Sequence, residues 1–119
     1  MEKEMYYDED RNLILITNEN YKKYLELDVE CVLCISSGAQ GAFGTAEFWT
    51  SDGKGYGCSY LYHIEWDNLI KVVPVLENTV EGYLLDGNEV AQGWVRKEVI
   101  GSGYFLFVQE GLESKYDAE

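Results

Sequence analysis

The chain has 119 residues and a formal net charge of −13, because 22 acidic residues stand against nine lysines and arginines. An acidic surface repels nucleic acid and anionic membranes and attracts basic partners. The sequence has no basic patch that could hold phosphates, which argues against direct nucleic-acid binding. It also has no apolar run long enough to span a membrane.

The composition indicates one folded domain over residues 1–119. Apolar residues make up 46% of the chain, and ten tyrosines, four phenylalanines and three tryptophans supply a core. The segment 1–8 lacks the apolar stretch of a signal peptide. The three cysteines are an odd number and imply no disulfide framework. We therefore predict a cytoplasmic protein with acidic flexible ends near 1–10 and 111–119.

The charge is uneven along the chain. Residues 1–10 carry five acids and one base, for a sum of −4. The segments 77–99 and 100–119 each sum to −3, whereas the longer segment 31–76 sums to only −2. This distribution predicts a nearly neutral centre that forms the core, with acidic pieces around it.

The first half of the chain predicts two strands and one helix. Asn12–Thr17 is a short apolar run typical of a buried strand. The polar residues that follow cap a short helix over 18–27 with tyrosines on its inner side. Val29–Ser36 is a second strand, and the segment 36–41 is a turn.

The second half predicts a succession of antiparallel strands. Residues 42–51 alternate with period two, and Asp52-Gly53 is a strong hairpin signal before a return strand that runs to Ile64. The later predicted strands are Leu69–Leu76, with Pro74 at an edge or bulge, Asn78–Leu85, Glu89–Arg96 and Gly103–Gln109. The predicted fold is mainly β or α+β: an antiparallel curled sheet or half-barrel of about seven strands, with one short helix near the N-terminus.

The cysteines offer two candidate sites, and geometry disfavours both. Cys31 and Cys34 have CxxC spacing, but on a strand residues i and i+3 point to opposite faces, so we predict neither a metal site nor a disulfide. Cys58 and His63, a possible nucleophile and base, are also at odd spacing on one predicted strand. We predict no catalytic residues and no cofactor.

The overall profile is that of a small acidic domain, rich in aromatics and lacking a catalytic set. It resembles the immunity proteins that bacteria make against nuclease toxins, as in contact-dependent growth inhibition. The resemblance is compositional and covers the whole chain. It implies a basic partner, a nuclease toxin domain, whose phosphate-binding groove the chain occludes.

Two other readings stay open. The same charge suits a phage-type inhibitor that mimics nucleic acid, such as an anti-CRISPR protein. A small ligand-binding or enzymatic barrel is the third reading, with Tyr60, Tyr62, Glu47 and Glu65 in its pocket; the two glutamates are placed there on adjacent strands.

We assign the predicted partner surface to the acidic segment that lies within predicted strands. Acids that interrupt strands with apolar neighbours are less readily explained by solubility alone. Carboxylates beside the turn at 86–89 should project toward lysines or arginines of the partner, and an aromatic side chain should add a buried contact. The predicted partner-binding residues are Glu77, Glu81, Asp86, Glu89, Trp94 and Glu98.

Overall fold

A single mixed sheet dominates the computed structural model, which describes residues 5–36, 43–60, 62–78, 91–99 and 104–116. Within these residues the sheet has seven strands: β1 (Tyr6–Asp8), β2 (Leu13–Leu15), β3 (Val29–Ser36), β4 (Phe43–Thr50), β5 (Gly55–Ser59), β6 (Trp94–Val99) and β7 (Tyr104–Gln109). Their order across the sheet is β1-β2-β5-β4-β3-β7-β6. The sheet is open, because β1 and β6 do not pair with each other in the described residues.

The prediction of an antiparallel sheet is wrong, because the seven-stranded sheet is mixed. β2 and β5 run parallel, with Leu13 opposite Gly55 and Leu15 opposite Gly57. The other neighbours are antiparallel. The predicted hairpin at Asp52-Gly53 is confirmed, since β4 and β5 are its two arms. Local alternation identifies strands, but a parallel pair between distant segments leaves no local signal.

Most of the helical segments cover one face of the sheet. In the part of the chain that the structure describes, the α-helix α1 spans Trp66–Val72 and there are three 3-10 helices: η1 (Tyr21–Tyr24), η2 (Pro74–Asn78) and η3 (Glu113–Tyr116). The larger core cluster joins the sheet to α1, η1 and η2; its largest fully buried side chains are Phe48, Ile16, Ile64, Leu69 and Leu76.

The segment predicted as a strand over Leu69–Leu76 is helical. Trp66, Leu69, Ile70 and Val73 recur at the helical spacing i, i+3, i+4 and i+7, and all four pack into the larger core. Val73 has φ −127° and ψ 77°, outside the helical region, because a proline disfavours a helical conformation at the residue that precedes it. Pro74 therefore ends α1 and starts η2, rather than marking a strand edge.

The helix predicted over 18–27 is wrong, since only η1 forms there. The amide of Asn20 turns back to the preceding strand: its oxygen accepts from Thr17 N at 2.7 Å and its nitrogen donates to Leu15 O at 2.7 Å. This side chain therefore does not cap η1. Short polar side chains that bond to nearby backbone compete with helix formation.

The return strand of the hairpin ends at Ser59, not at Ile64. The imidazole Nδ1 of His63 accepts a hydrogen bond from Ser59 N at 2.9 Å, and His63 N donates to Ser59 O at 2.9 Å. These two bonds close a turn around the strand end. His63 therefore lies in the connection to α1, whereas the alternation in the sequence predicted that it lies inside a strand.

The last predicted strands are displaced along the chain. β6 begins at Trp94, whereas the prediction placed that strand over Glu89–Arg96. β7 closely matches the predicted Gly103–Gln109. Most of the predicted strand Asn78–Leu85 lies outside the described residues, and Asn78 itself ends η2.

A β-bulge in β3 positions Glu30, the residue that binds η3 on the second face of the sheet. Val29 pairs with Thr50 and Cys31 pairs with Trp49, so Glu30 is an extra residue in the ladder. Glu30 is nearly buried and binds η3: its Oε1 accepts from Lys115 Nζ at 2.7 Å and from the Tyr116 hydroxyl at 2.8 Å. These bonds hold η3 against a smaller cluster of Cys31, Leu106 and Val108.

Candidate functional site

The structure places only part of the partner surface predicted from sequence. Glu77 is exposed on η2, and Trp94 is half-buried at the start of β6, where it packs against the larger core. Glu98 lies in β6 opposite Phe105. The other three predicted residues, Glu81, Asp86 and Glu89, lie outside the described residues. This surface stays a prediction.

Cys31 and Cys34 lie in different hydrophobic clusters. Cys31 belongs to the smaller cluster and Cys34 to the larger one, so the prediction of opposite faces is confirmed. Cys58 also lies in the larger cluster. Burial raises the pKa of the Cys31 and Cys58 thiols to about 12 and that of Cys34 well above its ordinary value.

The two glutamates predicted to share a pocket, Glu47 and Glu65, differ in burial and in the element that carries them. Glu47 is buried on β4, whereas Glu65 is exposed immediately before α1 and does not lie on a strand. The placement of these two glutamates on adjacent strands is therefore wrong. Tyr62 is 90% exposed, and Tyr60 packs edge-on against Trp66 with 5.4 Å between ring centroids.

One end of the sheet gathers most of the exposed acids near its strands. The turn 8–12, the approach to β3 at 25–28, the turn 51–54 and the exit from β7 at 110–112 all lie there, because the strand directions bring them together. We call these four segments the acidic end. Their acids are Asp8, Glu9, Asp10, Glu26, Asp28, Asp52 and Glu110, against the two bases Arg11 and Lys54.

Hydrogen bonds hold three segments of the acidic end in place. Ser51 N donates to Asp28 O at 3.0 Å, which joins the β4–β5 turn to the approach to β3. The Gln109 side chain donates to Val29 O at 2.6 Å, and Glu110 N donates to Gly93 O at 2.8 Å. The carboxylates of these three segments therefore project from a fixed frame. Sequence reasoning missed this surface, because its acids come from four separate segments.

A cleft of about 350 Å³ opens at the acidic end. Its size falls within the usual range for small-molecule sites, about 300–1,000 Å³. Its lining combines two aromatic rings, an aliphatic side chain and several charged groups: Tyr6, Trp49, Ile14, Arg11, Lys54, Asp52, Asn12, Gly53 and Gly55. A Cβ at Gly55 would lie 2.9 Å from Trp49 Nε1, so the absence of a side chain there admits the indole.

A buried carboxylate holds one wall of the cleft. The Glu47 side chain is 4% exposed, and its oxygens lie 2.7 and 3.0 Å from Arg11 Nη1. The guanidinium also lies over Trp49, 5.9 Å from the ring centroid. Burial raises the pKa of Glu47, the Arg11 charge opposes that shift, and Asp8 adds to it. Glu47 Oε1 accepts no well-aligned hydrogen bond in the described part of the chain.

The β4–β5 turn also lines the cleft, through Asp52, Gly53 and Lys54. Asp52 Oδ1 accepts from the Thr50 hydroxyl and from Lys54 N, at 3.1 Å in the second case. These hydrogen bonds lower the pKa of Asp52, so its carboxylate is ionised at neutral pH. The turn places Gly53 at φ +86°, a left-handed conformation that glycine adopts without strain. The Lys54 ammonium makes no ion pair within the residues that the structure describes.

The opposite end of the sheet carries a different surface. Asn18 Oδ1 accepts from Glu65 N at 2.9 Å and from Asn68 Nδ2 at 3.0 Å, and Asn18 N donates to His63 O at 3.0 Å. Asn18 therefore fixes the turn from which Tyr62 projects. Exposed acids here include Glu19, Glu65 and Asp67.

Comparison with protein-family models, curated proteins and solved structures found no match for this chain. Across the described ranges, no helix is long and apolar enough to cross a membrane. The same residues contain no group of three metal-ligating side chains.

Proposed function

We propose that the chain is a non-catalytic binding protein that inhibits a basic protein partner. The acidic end is the observation that supports this proposal best: seven acids and two bases lie on four segments at one end of the sheet. Such a surface speeds encounter with a positively charged partner and disfavours neutral or acidic ones. In its specific form the proposal is an immunity protein, which covers the phosphate-binding groove of a nuclease toxin.

The proposal is tested first by finding the partner. The tagged chain is cross-linked and purified from its native cells, and bound proteins are identified by mass spectrometry. We expect a basic protein that forms a saturable 1:1 complex with the purified chain at physiological salt. For the immunity form, adding the chain should stop cleavage of RNA or DNA by that partner. A partner that is neutral or acidic would contradict the proposal.

Charge reversal then locates the surface. Replacing Asp10, Glu26 and Glu110 with lysine changes three segments of the acidic end, and none of these side chains is buried. We expect association to slow by about ten-fold or more at low salt and less at high salt, because steering is screened by ions.

Two matched variants complete the test. Reversing Glu19, Glu65 and Asp67 at the opposite end changes the net charge by the same amount as the first variant. Association of this control should remain much faster than that of the first variant. Reversing Glu81, Asp86 and Glu89 tests the surface predicted from sequence. If either of these slows association as much as the first variant, the assignment to the acidic end is wrong.

A further inference from the structure

We propose that the cleft between Arg11 and Lys54 binds a small zwitterion, an α-amino acid with an aromatic or large apolar side chain. The proposal concerns the chain alone and does not depend on the proposed function. It starts from an unusual placement of charge. Only nine bases occur in the chain, and two of them line this one cleft.

The hydrogen-bond donors of Arg11 and Lys54 in the cleft suit the carboxylate of a ligand. Glu47 engages Nη1 of Arg11, and no other guanidinium nitrogen of Arg11 has a hydrogen-bond partner among the described residues. Lys54 supplies an ammonium that makes no ion pair there. A fixed guanidinium beside an ammonium is a donor set suited to carboxylate oxygens.

The buried Glu47 supports a positioning role for this arginine. Burying a carboxylate costs free energy that its ion pair only partly returns, so stability alone does not account for the arrangement. The pair does fix the guanidinium at the wall of the cleft, over Trp49. Glu47 thereby acts on a ligand through Arg11.

The remaining groups match an ammonium and an apolar side chain. Asp52 is ionised, and its two hydrogen bonds within the turn both use Oδ1, which leaves Oδ2 to accept from an ammonium. The acids around the cleft also favour a cationic group at its mouth. Trp49, Tyr6 and Ile14 form the apolar wall, and offset or edge contacts with aromatic rings suit such walls.

The experiment titrates three probes that share a phenyl ring. L-Phenylalanine carries both charges, 3-phenylpropionate lacks the ammonium and phenethylamine lacks the carboxylate. Binding is followed by NMR through the Nε1–H resonance of Trp49, with Trp66 and Trp94 as internal references. We expect phenylalanine to bind with a millimolar dissociation constant and each analogue about three-fold or more weakly.

Variants connect the binding to the cleft. Lys54→Gln changes an exposed turn residue and should weaken phenylalanine binding about five-fold, whereas the control Lys22→Gln, at an exposed position of η1, should leave it unchanged. The proposal is overturned if phenylalanine causes no saturable shift of Trp49, if 3-phenylpropionate binds as tightly, or if both lysine variants behave alike. Equal binding of 3-phenylpropionate would identify an anion site instead.

Discussion

Removing Arg11 should leave a buried charge without its counter-ion. In Arg11→Met the Glu47 carboxylate stays in a site that is 4% exposed. Opposite charges about 4 Å apart interact by about 4 kcal/mol at an effective dielectric constant of about 20. The Arg11 side chain is 46% exposed, so solvent screens the pair and about half of that value is expected. We predict a loss of about 2 kcal/mol in the free energy of unfolding at pH 7.

The double variant Arg11→Met with Glu47→Gln separates charge from packing. With no carboxylate left to neutralise, it should lie within about 1 kcal/mol of the wild type, closer than the single variant. Urea unfolding of the wild type, the single variants and the double variant measures this directly. If the double variant is as unstable as Arg11→Met, the loss comes from the contact of the Arg11 guanidinium with Trp49, and the electrostatic reasoning is refuted.

The pH dependence gives a second check on the same pair. The folded-state pKa of Glu47 is raised, so the folded protein takes up this proton more readily than the unfolded chain. The contribution of Glu47 to stability therefore falls as pH rises through the window between its ordinary pKa and its folded pKa. Without Arg11 the folded-state pKa of Glu47 should rise further, so the window should extend to higher pH. The penalty of Arg11→Met should shrink on acidification, and an equal penalty at pH 7 and pH 4.5 would contradict the mechanism.

Three other results are expected. Gly57→Ala should cost about 1–3 kcal/mol in urea unfolding, because its Cβ would lie 2.9 Å from the Tyr7 ring, and Tyr7→Ser should relieve that cost. Tyr116→Phe should cost about 1 kcal/mol and reduce the loss of stability below pH 4, since the pKa of Glu30 is lowered partly by this hydroxyl. All three thiols should resist alkylation at pH 8 until denaturant is added; fast labelling of the native protein would contradict their burial.

The sequence predicts best where one local rule decides the structure. Val29–Ser36 is both the predicted and the observed strand, since its apolar residues suit a strand buried on both faces. The hairpin at Asp52-Gly53 is also correct, because its turn needs only a residue with positive φ. The opposite orientation of Cys31 and Cys34 follows from the two-residue period of a strand.

The sequence fails where distant residues or side-chain competition decide. The run Leu69–Leu76 suits either a strand or a helix, and packing of Leu69 and Val73 against the sheet selects the helix. The parallel pairing of β2 with β5 depends on the path of the whole chain. The acidic end could not be predicted for the same reason, because Asp10, Glu26 and Glu110 become neighbours only through that path.

The interior position of β3 in the sheet has a consequence for the order in which the protein assembles. β3 is hydrogen-bonded to β4 on one side and to β7 on the other, and β7 is made by the ribosome long after β3. Until residues 104–109 have emerged, one edge of β3 has no β7 to pair with, and its apolar side chains remain available to other chains. The pairing of β7 with β3 closes a long loop, and we expect this step to be slow compared with formation of the β4–β5 hairpin. Nascent chains stalled before residue 104 should accordingly be the form of this protein most prone to aggregate.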